Sequence, residues 1–219
     1  MKKYLIITFY KCSRTTKLIS VLIDFKIEFE ILNILDFLKL YKKCTKNIKT
    51  YFNNFNRLII SGSCKYELNN KYVGCKTGTV CDIINVVNKI YKLFTNKPVL
   101  GICYGMEILG ILHGSKVINI PKTIKNIMNI SKSNIGNKMV EVNKKYKIFN
   151  RIKSKTKFNH THKKILDIKK IPKKINIIAT SDYGIAGIKI NKKRHYGFQF
   201  HPESSKKQGL KLIKNFLEL

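Results

Sequence analysis

Lys97-Pro98-Val99-Leu100-Gly101-Ile102-Cys103-Tyr104-Gly105-Met106-Glu107-Ile108-Leu109 is the stretch on which the fold of this chain turns. Residues 97–102 form a short apolar run that reads as a strand buried on both faces. The run ends in Gly101-x-Cys103-x-Gly105, after which residues 106–112 read as a helix stopped by Gly114. A strand that turns sharply into a helix has the logic of a nucleophile elbow, in which small neighbours relieve the crowding around a strained central residue. Cys103 stands at the tip of that turn.

The same alternation extends toward the amino terminus. Residues 4–10 are a continuous apolar run, Ser13 is placed to cap a helix over 13–25, and 27–34 alternates apolar and polar residues as a second strand would. A third buried strand is expected at 55–61, a turn at Gly62, and a helix over 80–94. Strand, helix, strand repeated in this way predicts an α/β fold: an open, mostly parallel sheet covered by helices on both faces, in three layers. Downstream, short β-like stretches at 115–120, 138–142, 175–181, 185–190 and 196–200 read as mixed or antiparallel additions to the sheet, and 208–217 as a closing amphipathic helix. The Lys- and Asn-rich stretches 42–54 and 143–157 read as surface loops or insertions.

With 219 residues, 44% of them apolar, the chain has enough material for a buried core and reads as one domain over 1–219. No apolar run approaches the roughly 20 residues that span a bilayer, and 4–10 is too short for a signal-peptide core, so a soluble cytoplasmic protein with no membrane partner is expected. Six cysteines, at 12, 44, 64, 75, 81 and 103, include no CxxC pair and no His at ligand spacing. That pattern predicts no metal site and thiols rather than disulfides. The formal charge of +32 suggests an anionic partner, yet Arg occurs only at 14, 57, 151 and 194 and the lysines are spread along the whole chain among Ile and Asn. AT-rich coding gives that mixture, and no specific nucleic-acid binding is expected.

The chemistry concentrates in two segments. At the elbow, the unpaired N–H groups and dipole of the following helix favour a thiolate at Cys103, and the Tyr104 N–H would face an oxyanion formed by attack on a carbonyl. A second donor is available in the turn Ser61-Gly62-Ser63. The other segment is Tyr196-Gly-Phe-Gln-Phe-His201-Pro-Glu203, in which His201 and Glu203, two apart on an extended chain, leave the same face, so that Glu203 orients the imidazole. A Cys with a carboxylate-oriented His performs acyl transfer through a thioester. Taken singly, a Cys between glycines also fits packing and an isolated His-x-Glu a surface accident.

Together, the turn ISGS, GICYGMEIL and YGFQFHPES, in this order along the chain, resemble the signature of class I (triad) glutamine amidotransferases, and the likeness runs from the first strand to the terminal G-x-x-L-I-x-N-F helix. The resemblance implies a flavodoxin-like fold, glutamine as substrate, no cofactor, and ammonia passed to a synthase partner. It makes Cys103 the nucleophile, His201 the general base and acid, and Glu203 its orienting carboxylate. Gly62 and Ser63 match the oxyanion loop, with Ser63 and Cys64 departing from the usual Gly-Gly-Pro. Residues 158–162 match the segment that contacts the glutamine backbone, through Asn159, Thr161 and His162; a purely structural role for the two histidines is the alternative. GICYGM is closest to GMP synthetase glutaminases, and HPES is more like the anthranilate or aminodeoxychorismate synthase small subunits. The chain has no ATP-pyrophosphatase segment with a phosphate loop, so the GMP synthetase type as a free-standing subunit is the expectation.

Glu107 departs from the Gln that these enzymes carry four residues after the nucleophile, and a similar Glu occurs in γ-glutamyl hydrolases, the alternative activity. On a helix, i and i+4 share a face, so Glu107 borders the pocket of Cys103. An ionised Glu there repels the substrate's α-carboxylate unless it pairs with the α-ammonium or a Lys, or is protonated by burial.

Overall fold

Tyr4-Leu-Ile-Ile-Thr8 is apolar on both faces, and it becomes the hub of a sheet. The computed structural model describes residues 3–9, 13–41, 48–63, 79–120 and 136–219. Within them β1 (Lys3–Thr8) pairs in parallel with β2 (Glu28–Asn33) on one side and β3 (Arg57–Ile60) on the other. β3 pairs with β4 (Val99–Ile102), and β4 with a strand distant in sequence, His195–Phe198. That strand is the last of eleven, β11; the others are β5 (Val117–Asn119), β6 (Gly136–Val142), β7 (Lys155–His160), β8 (Lys164–Leu166), β9 (Ile175–Ser181) and β10 (Gly184–Ile190). Nine of the eleven form one sheet in the order β2-β1-β3-β4-β11-β10-β9-β6-β7. The first five run parallel, and each later neighbour is antiparallel.

Strand residues alternate between two apolar cores, as period-2 geometry requires. Leu5, Ile7, Leu58, Ile60 and Val99 face one core, shared with α2 (Ile34–Tyr41), α3 (Ile48–Asn53), α4 (Thr79–Leu93) and α5 (Tyr104–Leu112). Tyr4, Ile6, Ile59, Leu100 and Ile102 face the other, against α1 (Ser13–Asp24) and the last helix, α6 (Lys206–Leu217). Helices therefore cover both faces, giving the three layers expected.

Several expectations need correction. Residues 115–120 do not join the main sheet; β5 pairs antiparallel with β8 in a separate two-stranded sheet. Within 42–54, residues 48–53 are helical and Phe52 is fully buried, while 42–47 lie outside the described residues. Within 143–157, a 3-10 turn, Lys147–Phe149, buries Ile148 and Phe149, and β7 begins at Lys155. Ile and Phe interleaved among the lysines hold these segments to the core, which an average over composition conceals. Cys81 is disulfide-bonded, not a thiol, and Cys103 is the free cysteine among the described residues; Cys12, Cys44, Cys64 and Cys75 lie outside them. Spacing along the chain carried no sign of that bond. Among the described residues no helix is long and apolar enough to cross a membrane.

Candidate active site

Adjacent parallel strands deliver the two chemical segments to one place. Ile102 at the end of β4 is the register partner of Phe198 at the end of β11, and the Cys103 N–H donates to the Phe198 carbonyl at 2.7 Å. Beyond that point β4 turns into α5, with Cys103 as the N-cap at φ 52°, ψ −106°. Left-handed φ at a non-glycine residue costs about 1–3 kcal/mol and persists only when the surroundings impose it. Here the glycines on either side impose it. A Cβ on Gly101 would come within 2.6 Å of the Gly105 carbonyl oxygen and 2.8 Å of Leu109 Cδ1, and one on Gly105 would overlap the Ile60 carbonyl of β3. The elbow is thus packed backbone to backbone against the neighbouring strand.

On the other strand the chain continues through Gln199 and Phe200 to His201. His201 is held by a backbone bridge to Asn159 just before the end of β7, its N–H donating to the Asn159 carbonyl at 2.8 Å. Pro202–Ser204 then form a 3-10 turn. This corrects the expected route to the pair: Glu203 reaches His201 through a tight turn, and the alternation of an extended strand plays no part. His201 Nδ1 lies 2.7 Å from Glu203 Oε1 with both side chains buried. Against a carboxylate acceptor Nδ1 carries the hydrogen, so Nε2 presents its lone pair, and Nε2 has no hydrogen-bond partner among the described residues. Ser205 braces the turn: its hydroxyl donates to the His201 carbonyl at 2.5 Å and accepts from the Asn159 N–H at 2.9 Å.

The His201 ring and the Cys103 side chain both border Gly62. A Cβ placed on Gly62 would sit 3.0 Å from His201 Cε1 and 3.5 Å from Cys103 Cβ. The Ser61-Gly62-Ser63 turn therefore borders both groups, and a side chain at 62 would intrude between them. The Tyr104 backbone N–H is hydrogen-bonded toward the Cys103 sulfur, while the Tyr104 ring packs edge-on against Phe9 in the core. Thr161 contributes its main chain, the thiol donating to its carbonyl at 3.7 Å. The His162 ring turns away, with Nδ1 donating to the Lys164 carbonyl at 2.9 Å and Nε2 3.1 Å from His160 Nδ1. Burial lowers both histidines, His160 to about 3 and His162 to about 4.

Glu107 is 3% exposed on the first turn of α5. Gln199 Nε2 donates to Glu107 Oε1 at 3.0 Å and lies 4.0 Å from Cys103 Sγ. Burial, and after it the Glu107 carboxylate, push the Cys103 thiol well above its ordinary value; Arg14 and the Tyr104 N–H pull the other way, and Glu203 adds a smaller upward push. Desolvation and a neighbouring carboxylate thus act against the expected ease of thiolate formation. Gln199, Ser205 and Arg14 escaped the sequence reading. Gln199 alone had a signal, standing two residues before His201 and hence on its face of an extended chain. Among the described residues no group of three or more His, Cys, Asp or Glu is arranged to hold a metal.

The sequence profile of class I glutamine amidotransferases matches residues 10–219. The chain belongs to that family. It is 31% identical over 189 residues to imidazole glycerol phosphate synthase subunit HisH of Buchnera aphidicola, covering 79% of this chain and 93% of that one. GMP synthase of Fusobacterium nucleatum is 33% identical over 129 residues, 58% of this chain and 23% of that protein. Among solved structures, a protein from Thermoplasma acidophilum described as a GMP synthase subunit superposes at a TM-score of 0.74 with 19% identity, covering 100% of this chain and 93% of its own. A glutamine amidotransferase from Thermotoga maritima gives 0.65 with 17% identity, over 99% and 83% of the two chains. At such identities these structures speak to the fold, which this amidotransferase shares.

Proposed function

We propose that this amidotransferase hydrolyses glutamine through a Cys103 thioester and passes the ammonia to a synthase partner. The observation that supports the reading is the Glu203-held imidazole of His201, whose Nε2 has no hydrogen-bond partner among the described residues, together with a strained Cys103 that borders the same Gly62. Cys103 Sγ attacks the γ-carboxamide carbon while its proton passes to His201 Nε2. The resulting oxyanion is held by the Tyr104 N–H and a backbone N–H of the Gly62–Ser63 turn. As the tetrahedral intermediate collapses, the C–N bond breaks and His201 returns the proton to the departing nitrogen, which leaves as ammonia. A water deprotonated by His201 then opens the thioester, releasing glutamate and restoring the thiol. Asn159 and Thr161 stand beside the reacting groups through their main chains, Asn159 O accepting from the His201 N–H and Thr161 O from the thiol, while the His162 ring, held by Lys164 and His160, supports the segment.

For the ammonia acceptor, the HisH relative aligns over 93% of its length and GMP synthase over 23%. This leaves an imidazole glycerol phosphate synthase type of partner standing beside the GMP type. A second reading, hydrolysis of γ-glutamyl peptides without a partner, is favoured by one specific feature, the buried Glu107.

The test is to incubate the protein with glutamine and with a glutamine-like electrophile. Glutamate and ammonia should appear in equal amounts, and mass spectrometry should place the adduct on Cys103. Loss of both in Cys103→Ser with an unchanged circular dichroism spectrum is the expected control. An adduct elsewhere, or turnover surviving in Cys103→Ser, refutes the assignment. Faster release of glutamate from a γ-glutamyl peptide than from glutamine selects the second reading.

A further inference from the structure

Gln199 occupies an unusual position between the nucleophile and the residue that marks this chain's departure from its family. Its backbone is fixed, the N–H donating to the Ala186 carbonyl of β10 at 3.0 Å, and its side chain is 1% exposed. One amide nitrogen therefore serves two neighbours, Glu107 Oε1 at 3.0 Å and Cys103 Sγ at 4.0 Å. The consequence falls on the other end of the amide. Gln199 Oε1 is buried with no hydrogen-bond partner among the described residues, an arrangement that is costly to keep. The reverse orientation, with Oε1 toward Glu107, would place an acceptor against a carboxylate and is open only to a protonated Glu107. The amide as placed therefore holds Glu107 as an acceptor.

Beside the donors near the sulfur, the Tyr104 N–H and the Gln199 amide nitrogen, stands a set of acceptors. Glu107, Gln199 Oε1 and the Thr161 carbonyl are all acceptors, and Glu107 lies one helical turn from Cys103 on the same face of α5. Such a set suits a cationic N–H donor and disfavours a carboxylate.

We propose that Gln199 is a positioning residue that fixes the Glu107 carboxylate beside Cys103, so that the site selects γ-glutamyl substrates by a free α-ammonium group. The inference rests on the glutaminase reading above and adds to it the residue pair that sets substrate choice. Glu107 makes the contact and Gln199 acts through it.

The test compares L-glutamine with 4-carbamoylbutanoate, which is glutamine without its α-amino group. The wild-type protein should prefer glutamine in kcat/KM by roughly a hundredfold or more, the scale at which a site built for a polar group rejects an analogue lacking it. Glu107→Gln and Gln199→Met should each reduce that preference to less than about tenfold. Gln199→Met added to Glu107→Gln should change the ratio no further, as expected of two residues acting as one unit. A general loss of structure would lower both rates and leave the ratio unmoved; Gln199→Leu provides a second variant if Gln199→Met does not fold. Calorimetric binding of both compounds to Cys103→Ser reads the same preference without turnover. Equal handling of the two compounds by the wild type, or full preference retained in both Gln199 variants, overturns the proposal while leaving the glutaminase reading intact. Failure of the wild type to bind or hydrolyse glutamine overturns both.

Discussion

Removing one hydroxyl at the far end of the sheet should destabilise this protein by an amount that can be worked out in advance. Tyr91 on α4 lies 2.5 Å from His195 Nδ1 and 2.7 Å from His113 Nε2. Donor and acceptor roles follow from the surroundings. His195 Nε2 faces the carbonyls of Phe94 and Lys97, each at 3.1 Å, so it carries the hydrogen and Nδ1 accepts. The Tyr91 hydroxyl must then donate to His195 and accept from the His113 Nε2–H. Tyr91→Phe strands a fully buried acceptor at His195 and a half-buried donor at His113, which water can partly satisfy. At about 1–3 kcal/mol for a stranded buried group, with the lower end for His113, the loss comes to about 2–4 kcal/mol. In a chain of this size that corresponds to a fall in Tm of roughly 5–15 °C. Urea unfolding followed by circular dichroism measures it directly. An unfolding free energy within about 0.5 kcal/mol of wild type would show that the hydroxyl is not the shared partner. The clamp has a further meaning, since His113 caps the C-terminus of α5 and His195 opens β11. The elements that carry Cys103 and the His201 segment at one end are tied through Tyr91 at the other.

Three more outcomes follow from the same geometry. Gly105→Ala would drive a Cβ into the Ile60 carbonyl, and a loss of about 3 kcal/mol or more, or insoluble expression, is expected; a Tm within about 2 °C of wild type would show that β3 yields. His113, His160, His162 and His195 are all lowered from 6.5, to about 4, 3, 4 and 4, chiefly by burial. Between pH 6.5 and about 4 the unfolded chain binds protons that the native state refuses, so stability should fall steadily as pH drops through that window; a flat profile in urea titrations would contradict the burial of these rings. Because the Glu107 carboxylate raises the Cys103 thiol, Glu107→Gln should shift the pH profile of iodoacetamide labelling at Cys103 downward, and an unmoved profile would show that burial alone sets it.

What the sequence disclosed was local. The elbow at 97–109 was readable because strand, glycines and helix follow one another without a gap, and the glycines proved to be needed where they stand. β7 was missed although Lys155-Thr-Lys-Phe-Asn-His160 alternates, with Thr156, Phe158 and His160 inward, because the lysines between them drew its first half into a presumed insertion. β8 is three residues long, too short for any period to register. The pairing of Cys103 with the His201 segment was inferred from chemistry, and the sheet supplies its cause, the adjacency of β4 and β11. The Gln199–Glu107 bond, between residues 92 apart, and the Tyr91–His195 bond, between residues 104 apart, have no counterpart in any local pattern.

A resting thiol held above its ordinary range looks at first like an obstacle to nucleophilic catalysis. The charges around Cys103 suggest otherwise. A thiolate at the bottom of a buried site would expose the protein to oxidation and alkylation in the absence of substrate. Holding the thiol neutral removes that risk, provided that binding of substrate reverses the balance. An α-ammonium brought against Glu107 would do so, because it neutralises the carboxylate that, after burial, contributes most to raising the thiol. The closing of the substrate over Gly62 would at the same time bring the carbonyl to the Tyr104 N–H, so that negative charge arises only where a donor already waits. On this account the substitution of Glu for Gln at 107 makes activation of the nucleophile conditional on a free amino group in the substrate. Selectivity and reactivity would then rest on the same carboxylate, and the Gln199 amide would be what holds it in place.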